Sequence, residues 1–349
     1  MNKTVVAVIF GGCSPEYPVS LESAYSVLRS LDPAKYRPVP IGISRTGEWF
    51  YFHGAIQRIL NDTWCHPESC IPALLSPNRG TRRLLLLWEE RVEALPIDAV
   101  FPVLHGQNGE DGTVQGLVEL AGIPLVGCGT LASALCMDKD RAHTLAAAAG
   151  VCVPRSLVIE SRTPEEETVR FAGEVGYPLF VKPVRAGSSF GVTKVSRADK
   201  LKTAIELAFQ YDSRVIVEEG VEGIEVGCAI MGDSALTMGE VDEIELSNGF
   251  FDFVEKYTLQ TSAIHVPARI PPGKAEEIKR TAGVVYKALG CSGFARVDMF
   301  LTPAGTIVFN EVNTIPGFTE HSRYPGMMNA AGISFGEMLS RMIDQALEA

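Results

Sequence analysis

The chain has 349 residues, 46 % hydrophobic and 21 % charged, with a formal net charge of −11. That length predicts two or three globular domains, and the composition excludes a disordered chain. The acidic balance argues against a nucleic-acid binder, which needs a basic face to displace counterions, but leaves a phosphate-bearing small molecule open.

Met1 to Phe10 holds one lysine and a short apolar run, then Gly11-Gly12 and polar residues follow. This reads as a first strand and turn, not a signal peptide. The β-branched run Thr4 to Phe10 has the character of a strand buried on both faces. A helix is expected over Ser20 to Leu31, a strand over Arg37 to Ile43, and loops over the Pro-, Asn-, Ser- and Gly-rich residues 61–82. Ile97 to Leu104 is another buried strand, followed by a Gly-rich turn, a helix over Thr113 to Ala121 and a short strand at Leu125. The βαβ-type order implies a parallel sheet. One helix is expected from Leu131 to Ala149, ending at Gly150 as a C-cap.

Beyond Val153-Pro154 the pattern predicts a strand near Val158, a helix over Glu165 to Val175 and strands Leu179 to Lys182 and Val192 to Val195. A helix over Ala198 to Phe209 and a strand Val215 to Glu218 follow. The last third reads as strands Glu225 to Met231 and Thr237 to Val241, a polar and aromatic loop, a helix over Ala275 to Leu289, strands Gly293 to Phe300 and Ile307 to Asn310, and a closing helix. No apolar run approaches the ~20 residues that span a bilayer. Eight cysteines without a C-x-x-C pair suit reduced, packed thiols in the cytoplasm. The Cys65-His66 and Cys70 cluster lacks a fourth ligand and reads as a surface loop.

Four constellations carry chemistry. An apolar strand delivers Lys182, and Gly187-Ser188-Ser189-Phe190-Gly191 follows. Glycines let backbone N–H groups approach a phosphate, and lysine adds charge; a tight hairpin with surface serines fits the same residues. Alternation puts Arg296 and Asp298 on one face of a strand, and Glu311 and Asn313 on one face of the next. Adjacent strands would then present hard oxygen ligands suited to Mg²⁺, with a guanidinium to offset phosphoryl charge; the plain alternative is a salt-bridged, solvated face. The stretch Val215 to Glu225 could offer an apolar wall to adenine and a carboxylate to ribose, as could many interdomain linkers. Phe250, Phe251, Phe253, Lys256 and Tyr257 in a polar connection suit a lid or a packed loop equally.

Together these segments resemble the D-alanine–D-alanine ligase family of ATP-grasp enzymes over essentially the whole chain. The matches run in order: Phe10-Gly-Gly-Cys-Ser14-Pro-Glu16, Leu104-His105-Gly106 through Glu110-Asp111-Gly112, Met137-Asp-Lys139, the Lys182 strand with its loop, Glu255-Lys256-Tyr257, Arg296-Val-Asp298, and Asn310-Glu-Val-Asn313 to Gly317. The resemblance implies an α/β ATP-grasp fold of three domains: an N-terminal parallel-sheet, substrate-binding domain (1–127) and two α+β domains sandwiching ATP (128–218 and 219–349, the latter with a lid at about 246–262).

It also implies roles. Lys139 and Lys182 would hold ATP phosphates under the Ser189 loop, with Lys256 reaching the nucleotide from the lid. Glu218, Glu219 and Val221 would line adenine and Glu225 would bind ribose. Asp298, Glu311 and Asn313 would ligate two Mg²⁺, with Mn²⁺ as the alternative ion. Glu16 would bind the ammonium of the first D-alanine, and Glu16, Ser188 and Tyr257 would form a hydrogen-bonded set. Arg296 and the Gly317 N–H would stabilise the oxyanion. His105 is expected to orient Glu16 or the substrate, not to carry protons. His143, His265 and His321 receive structural readings, His321 lying beside the second-substrate pocket, and Met327-Met328 fill core.

Two departures bear on the second substrate. Phe251 stands where D-alanine–D-alanine ligases commonly have tyrosine, and Arg323, in His321-Ser322-Arg323-Tyr324, where they have an aliphatic residue. Both resemble the vancomycin-resistance D-alanine–D-serine ligases of the VanG type, whereas Lys256-Tyr257 argues against an ester-forming ligase. The resemblance thus implies a cytoplasmic, homodimeric enzyme of peptidoglycan precursor synthesis, with D-alanine and D-serine as substrates and neither nucleic acid nor membrane as partner. An ordinary D-alanine–D-alanine ligase is the alternative. A non-catalytic nucleotide-binding regulator would not need the full Arg296, Asp298, Glu311 and Asn313 set.

Overall fold

The computed structural model of the protein describes residues 3–187, 190–246 and 262–349. Ser188, Ser189, Phe250, Phe251, Phe253, Lys256 and Tyr257 lie outside the described residues.

The first sheet comprises β1 (Thr4–Gly11), β2 (Tyr36–Ile43), β3 (Trp49–Phe52), β4 (Cys70–Leu75), β5 (Arg83–Leu87), β6 (Val92–Pro96) and β7 (Ala99–Pro102), in the order β6-β5-β4-β3-β2-β1-β7. Only β2-β1-β7 is parallel; β3 to β6 extend it as an antiparallel meander. The parallel-sheet expectation therefore holds for the three strands that carry the loops of interest. β4 also corrects the loop reading of residues 61–82: Ile71, Ala73 and Leu75 alternate inward, and Pro72 sits at an outward position. Helix α1 (Tyr17–Ser30) follows β1, and a four-residue helix α2 (Gln57–Leu60) and α3 (Thr113–Ala121) complete this part. On β1, Val6, Val8 and Phe10 pack into one core while Val5, Ala7 and Ile9 pack into another, as a strand covered on both faces must.

The helix expected from Leu131 to Ala149 is two: α4 (Thr130–Met137) and α5 (Lys139–Ala148), broken at Asp138. Asp138 is extended (ψ 100°) and its carboxylate accepts from Arg141 N, so it caps α5 and leaves Lys139 as the first residue of a helix. The second sheet, β8 (Ser156–Glu160), β9 (Leu179–Pro183), β10 (Thr193–Val195) and β11 (Arg214–Glu219), is antiparallel in the order β10-β9-β11-β8. It packs on α6 (Glu165–Val175) and α7 (Leu201–Ala208) through Ala172, Leu201, Ala204 and Ala208.

The third sheet holds β12 (Ile224–Gly232), β13 (Leu236–Met238), β14 (Asp242–Leu246), β15 (Ser262–His265), β16 (Phe294–Leu301) and β17 (Ile307–Asn313). Its order is β15-β14-β12-β16-β17, with β13 pairing β12. Helix α8 (Pro272–Ala288) covers one face, and α9 (Arg323–Ala330) and α10 (Phe335–Glu348) replace the single closing helix expected. Phe318 packs edge-on against both Phe101 and Phe294 in the core shared by the first and third sheets, together with buried Met327 and Met328. This shared core brings the loops after β1 and β7 to the end of β17.

Candidate functional site

Glu16 lies in the β1–α1 loop and is buried. Ser14 Oγ accepts from Glu16 N (3.0 Å) and donates to the His105 carbonyl (2.6 Å), which ties this loop to the one after β7. Gly106 and Gly187 close on the Glu16 carboxylate from two sides: a Cβ at Gly106 would overlap Oε2, and one at Gly187 would lie 2.9 Å from it. The Gly187 turn and Glu16 are therefore neighbours across two sheets.

His105 is fully enclosed. Its Nδ1 lies 2.9 Å from the Ile315 carbonyl and its Nε2 3.3 Å from Ser23 Oγ. Burial drives its basicity down to about 4, the Ile315 carbonyl opposing and Arg296 reinforcing the shift. It is neutral at pH 7, so it orients rather than shuttles protons. The contacts refine the expectation: the ring holds Ile315 and Ser23, and only the backbone carbonyl orients Glu16, through Ser14.

Glu110, which sequence reading quoted without a role, accepts from Gly106 N (2.7 Å) and Ile315 N (3.3 Å). Burial first, then the nearby Glu16 and Glu311 charges, push its carboxyl up to about 8 against the two N–H donors. Glu110, Lys139, Gly187, Glu311 and Asn313 line one small cleft.

Across the cleft, Lys139 Nζ donates to the Ala186 carbonyl (2.8 Å), next to Gly187. Lys182 on β9 pairs with buried Glu218 on β11 at 2.5 Å. Burial raises the Glu218 carboxyl, but Lys182, His143 and Lys139 outweigh it and the net shift is downward. Glu219 is tied sideways to Arg155, accepting from its N (3.0 Å) and Nε (2.9 Å), so its side chain faces the surface. Val221 is partly exposed just past β11.

Alternation places the third group as expected. Arg296 pairs with Asn313 and Asp298 with Glu311 across β16–β17. Arg296 donates Nε and Nη2 to the two Asp298 oxygens (2.8 and 2.7 Å), and Asn313 Nδ2 donates to Oδ2 (2.8 Å). Two carboxylates and an amide oxygen on one face are hard donors of the kind Mg²⁺ takes, so the residues fit. Among the described residues no three His, Cys, Asp or Glu side chains close on one point. An ion here would complete its shell with phosphate and water oxygens.

Gly317 and Ser322 lie together: a Cβ at Gly317 would come within 2.9 Å of Ser322 Oγ, which caps the turn by accepting from Thr319 N (3.1 Å). Arg323 is buried. It donates Nε and Nη2 to Asp242 (2.7 and 2.9 Å), Nη1 to Glu225 (3.3 Å), and Nη2 lies 3.3 Å from Asp298. Sequence reading separated Glu225 and Arg323 into two pockets, but the structure places them in one cluster. It missed Asp242. The available signal was alternation, which sets this aspartate beside Ile244 on an otherwise apolar strand face.

The arrangement matches known proteins along its length. Residues 5–128 match the family model "D-ala D-ala ligase N-terminus" and residues 145–344 match "D-ala D-ala ligase C-terminus". The crystal structure of the VanG D-Ala:D-Ser ligase from Enterococcus faecalis superimposes with a TM-score of 0.92 at 54 % identity, covering 99 % of this chain and 100 % of that one. The vancomycin C-type resistance protein VanC1 of Enterococcus gallinarum is 44 % identical over 98 % of both chains. A D-alanine–D-alanine ligase of Caldicellulosiruptor bescii is 41 % identical over 100 % of this chain and 96 % of its own. A chain matched this fully along its length belongs to the D-alanine–D-alanine ligase family and is an ATP-dependent D-amino acid ligase.

Proposed function

We propose that this enzyme joins D-alanine to D-serine, with ATP as the activating substrate and Mg²⁺ as its ion. The observation that carries the reading is the environment of Arg323. A buried guanidinium needs partners, since an unpaired charge away from water costs several kcal/mol. Asp242 and Glu225 supply them, and Gly227 on β12 makes the room: a Cβ there would lie 2.5 Å from Arg323 Nη2. Glu225 and Gly227 on β12, Asp242 on β14 and Asp298 on β16 thus surround the one arginine. A hydroxyl-bearing second substrate that reaches this cluster meets oriented polar groups, whereas a methyl gains no hydrogen bond from them. The 54 % identical D-Ala:D-Ser ligase structure supports the same substrate.

The chemistry follows from the groups. A carboxylate is a poor electrophile, so the first D-alanine is activated as an acyl phosphate and the amine of the second substrate displaces phosphate. Mg²⁺, held by Asp298, Glu311 and Asn313, would neutralise phosphate charge. Lys139 and Lys182 hold the phosphates, Glu16 holds the first ammonium, and Arg296 with the Gly317 N–H faces the oxyanion. Glu219 would contribute its backbone, its carboxylate being engaged by Arg155. By the family it belongs to, we place the reaction in the cytoplasm, in peptidoglycan precursor synthesis and vancomycin resistance, and propose a homodimer; none of the described helices is long and apolar enough to cross a membrane.

A second reading, D-alanine–D-alanine ligation, draws on the 41 % identical relative that carries that name. Product analysis with D-alanine alone and with equimolar D-serine decides between them. Mostly D-alanyl-D-serine is expected; mostly D-alanyl-D-alanine would overturn the serine reading and leave the ligase standing.

A further inference from the structure

His143 sits one turn after Lys139 on the buried face of α5, and neither the sequence reading nor the chemistry above uses it. Its Nε2 lies 2.8 Å from the backbone carbonyl of Asn310 on β17, and its ring packs edge-on against Phe309. A carbonyl only accepts, so Nε2 carries a proton. On the other side, Nδ1 lies 3.6 Å from Glu218 Oε1. Both of these atoms are buried and neither has a hydrogen-bond partner. A neutral ring would aim its Nδ1 lone pair at a carboxylate. A doubly protonated ring aims a donor and a positive charge at it instead.

The position gives this contact a purpose. Glu218 lies between two basic groups: Lys182, through Oε2 at 2.5 Å, and His143, whose Nδ1 faces Oε1. Lys182 is also the residue that must turn to a phosphate when nucleotide binds. If it did so alone, Glu218 would remain as a buried carboxylate with no close counter-charge, a strongly unfavourable state.

We propose that His143 is a positioning residue of the nucleotide site: as an imidazolium bridging Asn310 and Glu218, it keeps Glu218 charged and in place when Lys182 leaves it for phosphate. This rests on the nucleotide reading of Lys182 and Glu218 given above. The bridge also joins α5, which begins at Lys139, to the strand that carries Glu311. Lys139, Glu218 and the metal-facing strand are thereby held in one register.

The test is calorimetric binding of Mg·ADP to the full chain, comparing wild type with His143→Gln and His143→Lys. Glutamine keeps hydrogen bonding without charge, whereas lysine keeps the charge. Binding about tenfold or more weaker in H143Q is expected, from the size of a charge-assisted hydrogen bond. H143K should return to within about threefold of wild type, a rescue that a merely packing role would not produce. Spectra of ¹⁵N-histidine-labelled wild type should show both His143 ring nitrogens protonated with Mg·ADP bound, an arm independent of how well either variant folds. H143Q binding as tightly as wild type, or a single ring N–H, overturns the proposal. Absence of Mg·ADP binding by wild type itself would instead sink the nucleotide reading beneath it.

Discussion

Arg323 and Asp242, 81 residues apart, form a two-pronged ion pair at 2.7 and 2.9 Å across the bare backbone of Gly227. The pair links α9 to β14, and β12 runs between Asp242 and Asp298 because Gly227 is in register with both. The polar character of this pocket therefore depends on a glycine that bears no functional group.

Removing one partner tests the pair directly. Asp242→Ala leaves a buried guanidinium with only Glu225 and Asp298. Chemical denaturation should show a loss toward the lower end of the ~3–5 kcal/mol typical of broken buried pairs. A loss under about 0.5 kcal/mol, the usual size of surface effects, would mean that the guanidinium is already balanced without Asp242.

Gly227→Ala adds one methyl among Arg323 Nη2, Asp242 Oδ1 and Asp298 Oδ1, at 2.5, 2.7 and 2.9 Å. Overpacking of this kind costs about 1–3 kcal/mol. The displaced guanidinium should also lower the D-serine to D-alanine product ratio. An unchanged ratio with lowered stability would separate Arg323 from substrate choice.

The glycine at 187 makes a kinetic prediction. A Cβ there would press on both Glu16 oxygens, at 2.9 and 3.4 Å, without filling a core. For Gly187→Ala we expect kcat/KM for the first D-alanine to fall about 10- to 100-fold through misplacement of Glu16. The melting temperature should stay within a few degrees of wild type. Unaltered kinetics would detach the Gly187 turn from the first-substrate site.

Glu110 and His105 set a pH dependence of stability. The Glu110 carboxyl is raised from 4.5 to about 8, so its stabilising contribution is full below 4.5 and is lost as pH rises through about 8. His105 is lowered from 6.5 to about 4, so its contribution is present above 6.5 and lost as pH falls through about 4. The two oppose each other between about 4.5 and 6.5, and from 6.5 to 8 only the Glu110 loss remains. Denaturation midpoints should fall across that upper window in wild type and stay flat in Glu110→Gln, a neutral mimic of the protonated acid. A flat wild-type profile would show that Glu110 is ionised already at pH 6.5.

Much of this was legible in the sequence, because local rules governed it. The period-two alternation at Arg296, Asp298, Glu311 and Asn313 predicted a shared face, and β16–β17 pairing delivers it. The run Thr4 to Phe10 declared a doubly covered strand before any sheet was known. Other features were not legible. The break at Asp138 hides inside a helix-favouring segment, where a single capping aspartate outweighs propensity. The meander β3 to β6 comes from pairing between short segments, and which segment pairs with which is not written in any one of them.

The sequence by itself determined the family, the doubly covered first strand and the shared face of Arg296, Asp298, Glu311 and Asn313. These are encoded in residue type and spacing along one strand or loop, where periodicity is preserved. Only the tertiary structure decided that Arg323 is paired by Asp242 and Glu225, that Gly187 rests on Glu16, and that His143 faces Glu218. Each of those contacts joins elements 75 to more than 150 residues apart. Burial, not sequence proximity, is what forces such charges to find one another.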